Sequence, residues 1–124
     1  SLGGDPSPEE TAEQAFGYVQ EARQTARKHD IGFVVLLIPS RNRMLHGPSA
    51  APPLFEQIVP RLKQAGIPYI DLRENYATVD DPSTLYFRSD AHWNRTGVYR
   101  AVREVLEYIE QHRRHETVVE GTNK

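Results

Sequence analysis

The sequence predicts an α/β protein in which a parallel sheet is flanked by helices, and only part of a full domain of that class. Three observations predict it. Phe33-Val34-Val35-Leu36-Leu37-Ile38 is an unbroken apolar run ending at Pro39, the pattern of a strand covered on both faces. Ile67-Pro68-Tyr69-Ile70-Asp71-Leu72 reads as a short second strand, and a helical stripe lies between the two. A strand–helix–strand unit implies parallel strands joined by a right-handed crossover. Two strands make a thin sheet whose edges need covering. Either a third strand lies near Leu85-Tyr86-Phe87 or the chain belongs to a larger domain, and the second is the expectation.

The elements follow in order. Ser7-Pro8-Glu9-Glu10 reads as a helix start: Ser caps, Pro suits the first helical position and Glu10 completes a capping box. Apolar residues at Ala12, Ala15, Phe16, Val19, Ala22 and Ala26 then form one face of a helix to about Lys28. After the first strand, the stretch from Ser40 to Pro53 holds a Gly and three prolines and reads as a surface loop. Leu54, Ile58, Leu62 and Ala65 mark a second helix, which Pro60 either kinks or delays and Gly66 stops. A polar connection through Asp80-Asp81-Pro82-Ser83 follows the second strand. The last helix begins near Asn94, with Val98, Ala101, Val102, Val105, Leu106 and Ile109 as its buried stripe and Arg95, Arg103, Glu107 and Glu110 facing water. The expected boundaries are a flexible start at 1–7, one α/β domain over 8–114 and a frayed tail at 115–124.

Bulk properties narrow the function. A chain of 124 residues accommodates one core and not two. It is 38% hydrophobic and 26% charged with a net charge of −2, and no face is basic enough to call for nucleic acid. The longest apolar run, Ile31 to Pro39, is too short to span a bilayer, and no segment reads as a secretory signal. The absence of cysteine removes disulfides and thiolate zinc sites without fixing the compartment. Nothing calls for a cofactor.

The chemistry sits in RSDAHWNRTG, residues 88–97. In extended chain, residues i and i+2 project to the same side. The Asp90 carboxylate can therefore accept from one ring nitrogen of His92, fix its tautomer and leave the other nitrogen free to deprotonate a hydroxyl. Open α/β folds bind ligands beyond the carboxyl ends of their strands, where a loop after the second strand falls. Asn94 as helix cap and Gly97 just inside the helix would hold His92 in place. Each residue also has an ordinary structural role: a loop His is commonly solvated, an Asp near a helix start serves the helix dipole and Trp93 anchors a core.

Taken together, SDAHWNRTG resembles the last sequence block of the SGNH/GDSL hydrolase superfamily, and its Asp-x-His-Trp form is most similar to the branch holding alginate O-acetyltransferase-like proteins. FVVLLIPSRNRM, AGIPYIDL and LYFRSDAHWN follow one another as in that branch, so the resemblance spans roughly residues 10–112. It implies a flavodoxin-like three-layer fold, with His92 as general base and Asp90 orienting it. The implied activity is that of an esterase or O-acyltransferase acting on small-molecule or polysaccharide acyl esters, outside the cytoplasm. The superfamily's nucleophile lies in a Gly-Asp-Ser block after a hydrophobic strand, and none of the six serines here has that context. In GGDPS, Pro6 stands where the Ser is required. Ser40, at the end of the first strand, reads as a turn cap, and Ser89 points away from the dyad. No nucleophile is identified, and the serine is expected outside this chain, which alone would be inactive. Ser40, Arg41, Asn42, Arg43 and Trp93 are candidate substrate-binding residues, the two arginines for an anionic sugar and Asn42 as a substitute for the missing oxyanion block.

Two other readings compete. One is a non-catalytic domain for binding or assembly that keeps the fold and lacks the triad. The other is a metal site from Asp90, His92 and His46, for which further ligands are missing and no metal is assigned. Bare sheet edges would also allow pairing with another copy.

Overall fold

The helix start read from Ser7 is the one that forms. In the computed structural model, which describes residues 4–50 and 53–122 with side chains through Arg113, the Ser7 hydroxyl accepts from the Glu10 amide at 3.1 Å. It opens α1 (Pro8–Lys28). This helix closes with a six-residue loop of bonds: Ile31 N–H reaches the Ala26 carbonyl and Asp30 N–H the Arg27 carbonyl. Asp30 takes the left-handed position of that cap, with φ of 54°, where glycine is the usual occupant.

Strand β1 (Val35–Leu37) and β2 (Tyr69–Asp71) pair in parallel, with Leu36 opposite Ile70, and α3 (Leu54–Gln64) crosses between them. Pro60 lies inside α3 and does not delay it. Gly66 stops α3 with φ of 67°, in the same geometry as α1: Ile67 N–H bonds the Leu62 carbonyl and both side chains pack in one cluster. Strand side chains alternate between two cores, as a period of two requires. Val35, Leu37 and Tyr69 meet Phe16 and Val19 of α1 and Ile58 and Leu62 of α3. Leu36 and Ile70 meet the other cluster, built on Leu72, Tyr76, Leu85, Tyr86 and Ala101.

Three expectations need correction. The stretch after Ser40 is not all loop: Arg41–His46 forms α2, followed by a 3-10 turn at Pro48–Ala50, and Met44 of α2 packs on the core. The polar connection after β2 begins with α4 (Leu72–Ala77), capped by Asp71, and ends in a 3-10 turn at Pro82–Leu85. Of the two alternatives for the thin sheet, the third strand near Leu85, the one not preferred, does not form among the described residues, where Tyr86 makes a single antiparallel bridge with Trp93. The stripe of α5 (Arg95–Thr122) is largely uncovered: Ala101 is buried and Val105 half-buried, while Val98, Val102, Leu106 and Ile109 are exposed. The cause is missing cover: a two-stranded sheet is too narrow to reach Val98 and Val102 beside buried Ala101, and too short to reach Leu106 and Ile109. A helix of 28 residues runs about 42 Å at 1.5 Å per residue, against strands of three residues that span roughly 10 Å.

The α5 backbone continues to Thr122, past the stop expected near Arg114. Of the expected tail at 115–124, residues 123 and 124 lie outside the described residues, as do the first three of the expected flexible start. No helix among the described residues is long and apolar enough to cross a membrane.

Candidate active site

The loop that carries Asp90 and His92 is closed at its base by backbone pairing. Asn94 N–H donates to the Leu85 carbonyl at 2.9 Å and Phe87 N–H to the His92 carbonyl at 3.1 Å, either side of the Tyr86–Trp93 bridge. Tyr86 ties this base to the end of β1: its buried hydroxyl donates to the Pro39 carbonyl at 2.8 Å, and its ring meets Tyr76 edge-on. Burial pushes the Tyr86 phenol well above its ordinary range, so it stays a proton donor. Tyr76 in turn donates to the Gly97 carbonyl at 2.7 Å, in the first turn of α5. The motif therefore sits at the carboxyl end of β1, as expected for a site in an open α/β fold.

Within the loop, one oxygen of Asp90 meets His92 twice. Asp90 Oδ1 accepts the His92 amide N–H at 2.9 Å and contacts ring Nδ1 in a short hydrogen bond. The backbone bond, then the ring bond, hold the Asp90 carboxyl below the ordinary aspartate value. The carboxylate thus favours a proton on Nδ1 and turns Nε2 outward. The His92 side chain is 79% exposed and that of Asp90 53%. The imidazole is oriented but uncovered.

The other candidates are placed as follows. The Ser40 hydroxyl accepts from the Arg43 amide at 3.1 Å and caps α2, the turn-capping role read for it. Arg43 is drawn inward: its guanidinium lies 2.5 Å from Glu56, and its side chain is 15% exposed. Glu56 also meets Arg73, which forks onto Asp71, so four charged groups tie α2, α3 and α4 together at the end of β2. Burial alone would raise the Asp71 carboxyl, but the hydrogen bonds from Arg73 outweigh it and the group lies below its ordinary value; Glu56 behaves likewise, with Arg43 as its side-chain partner. Arg41 is half-buried and its Nε is buried without a hydrogen-bond partner. Asn42 is exposed on α2. Trp93 is half-buried against the Leu72–Tyr76–Leu85 cluster and bridges Tyr86, which gives it a packing role. His46 ends α2, and among the described residues no three His, Asp or Glu side chains gather where they could hold a metal.

Sequence reasoning overlooked Tyr76, Tyr86 and the Asp71–Arg73–Glu56–Arg43 network. For the network a signal existed: Asp71-Leu72-Arg73-Glu74 has capping-box spacing and announces a helix directly after β2.

An Asp-x-His-Trp loop seated on the first turn of a long helix, beside a parallel strand pair, is the arrangement against which known families can be compared. Residues 5–123 match the family described as SGNH hydrolase-like domain, acetyltransferase AlgX. The chain belongs to that family. The match covers both strands, the loop and α5 of this SGNH hydrolase-like domain, and so the whole span of the resemblance read from its sequence. Membership places the domain within SGNH-type acyl chemistry. Comparison with curated proteins and with solved structures gives no match.

Proposed function

We propose that this domain supplies the general base and its orienting acid to an SGNH-type esterase or O-acyltransferase, with the nucleophilic serine outside residues 1–124. The reading is carried by one observation: Asp90 Oδ1 engages both the amide and the ring of His92 while the imidazole stays open to solvent. The family's description as an acetyltransferase supports an acetyl ester as substrate, and the class proposed is acetyl esters of carbohydrates. In the same reading, β1 and β2 are two strands of a larger flavodoxin-like three-layer sheet. Its further strands would cover the exposed stripe of α5 in preference to a second copy of the chain.

The chemistry follows from the tautomer. With the proton on Nδ1 held by Asp90, Nε2 is the basic nitrogen. It takes the serine proton as Oγ attacks the acyl carbonyl carbon, and the imidazolium so formed lies against the Asp90 carboxylate. Nε2 then returns that proton to the departing alcohol oxygen as its bond to the acyl carbon breaks, which leaves an acyl-serine. In the second half, Nε2 takes a proton from water or an acceptor hydroxyl that attacks the acyl-serine, and gives it back to Oγ.

The test is His92→Ala in the full-length protein, which should lower kcat by roughly 10⁴–10⁶-fold. Residues 1–124 alone should hydrolyse p-nitrophenyl acetate no faster than their own His92→Ala variant. Rapid hydrolysis that the variant abolishes would place a nucleophile inside the chain and overturn the proposal. Unchanged function of the full-length variant would favour the binding or assembly domain instead.

A further inference from the structure

Asn94 does more than cap α5. Its Oδ1 accepts the Gly97 amide at 3.1 Å and its carbonyl accepts the Val98 amide at 2.9 Å, which are the duties of a cap. The other end of the same carboxamide points away from the helix. Nδ2 donates to the Thr84 carbonyl at 2.7 Å and to the Tyr86 carbonyl at 3.1 Å, while the Asn94 amide donates to the Leu85 carbonyl. One residue thus collects three consecutive carbonyls, 84, 85 and 86, from the end of the 3-10 turn and the bridge residue Tyr86, opposite His92 and Trp93. Only this orientation of the amide satisfies every partner, because a flip would set its oxygen against two carbonyl oxygens and its nitrogen against an N–H.

We propose that Asn94 is a positioning residue for the Asp90–His92 dyad, acting through its Nδ2 clamp and separately from its role as helix cap. The inference rests on the catalytic reading of the dyad given above. The exposed stretch between Phe87 and His92 carries the dyad, and the Phe87–His92 backbone bond and the Tyr86–Trp93 bridge close it. Both depend on the carbonyl row at 84–86 keeping its register with 92–94. The clamp fixes that register from the side chain, so that Asp90 and the His92 amide stay at hydrogen-bond distance with little help from burial.

The two roles can be separated by substitution. Asn94→Asp keeps an acceptor for the Gly97 amide and ranks with Asn as a cap, but it has no proton for Thr84 or Tyr86. Asn94→Ser also keeps the cap and is too short to reach both carbonyls. The measurement is the His92 tautomer in ¹⁵N-labelled residues 1–124, from long-range nitrogen–proton spectra at a pH where the ring is neutral. In the wild type the Nδ1–H form should dominate. In both variants the ratio of Nδ1–H to Nε2–H should fall about tenfold, the equivalent of losing one charge-assisted hydrogen bond, while far-UV circular dichroism keeps the helix signal.

Unchanged tautomers in folded variants would overturn the clamp and leave the dyad standing. A wild type dominated by Nε2–H would overturn the dyad geometry itself, and the proposed function with it. Should Asn94→Asp fail to fold, Asn94→Ser decides. Loss of fold in both would also overturn the inference, because the clamp would then be a determinant of the fold and not of the dyad.

Discussion

Gly97 is the position where one added carbon should do the most harm. A Cβ built there lies 2.5 Å from the Leu85 carbonyl oxygen, 3.1 Å from Trp93 Cβ and 3.2 Å from the Tyr76 hydroxyl. Ordinary C···O contacts begin near 3.3 Å, so the carbonyl must move by about 0.8 Å. That carbonyl accepts the Asn94 amide at the base of the loop, and it cannot move without stretching the bond. Overpacking of this kind costs about 1–3 kcal/mol and a weakened hydrogen bond about 0.5–1.5, while Ala for Gly in a helix returns about 0.8–1.0. Gly97→Ala should therefore lose roughly 1–3 kcal/mol net. Gly17 is the control. It lies within α1 with nothing inside 4 Å of the added carbon, so Gly17→Ala should gain about 0.5–1 kcal/mol. The two variants should differ by roughly 2–4 kcal/mol, or about 8–16 °C in Tm at about 4 °C per kcal/mol. Urea unfolding followed by circular dichroism measures the difference, and the fluorescence of Trp93, the single tryptophan, follows the loop base. A Gly97→Ala protein as stable as Gly17→Ala would refute the contact between α5 and the Leu85 carbonyl.

Two further outcomes are expected beside those for His92 and Asn94. Asp30 holds a left-handed conformation at the end of α1, so Asp30→Gly should raise the urea midpoint by the equivalent of about 0.5–1 kcal/mol; a lower midpoint would show that the Asp side chain favours this cap. Asp71 has a folded-state pKa below its unfolded value, so its contribution is present above about pH 4 and is lost as pH falls through the folded value. Unfolding free energy should thus decline from about pH 5 toward pH 3, and Asp71→Asn should flatten part of that slope, with Glu56, Asp81 and Asp90 among the groups that keep the rest. An unaltered slope would show that the Arg73 fork does not distinguish folded from unfolded chain.

The elements that periodicity and capping specify were legible from sequence, and those set by tertiary contact were not. Ser7 with Glu10, and Gly66 after a stripe of Leu54, Ile58 and Leu62, are local signals, and the structure uses both. Helix α2 was obscured because six residues between Ser40 and Gly47 are too few to show a period, amid residues that favour turns. Its stability comes from Met44 on the core and from the Arg43–Glu56 pair, contacts that no local window contains. The α5 stripe was read correctly as apolar and wrongly as buried. Periodicity reports which residues seek cover, but whether cover exists depends on the width of the sheet.

The site divides along the same line. The contact between Asp90 and His92 was legible because it needs only a spacing of two, which a sequence displays. Their support was not, because it converges from distant segments: Tyr86 reaches Pro39, 47 residues away, and Tyr76 reaches Gly97, 21 residues away. That division carries a physical consequence. Asp90 and His92 are exposed and bonded to each other, whereas Tyr76 and Tyr86 nearby are buried and bonded to distant carbonyls. Truncating His92 should therefore leave the fold intact, since it removes little packing and no buried hydrogen bond. Changes at Gly97 strain the base that the loop stands on and should lower stability, whereas changes at Asn94 that keep the cap should alter the dyad geometry in a folded protein. Under the proposed function, a substitution that abolished activity and left both the fold and the His92 tautomer unchanged would act on substrate binding or on the serine side of the reaction.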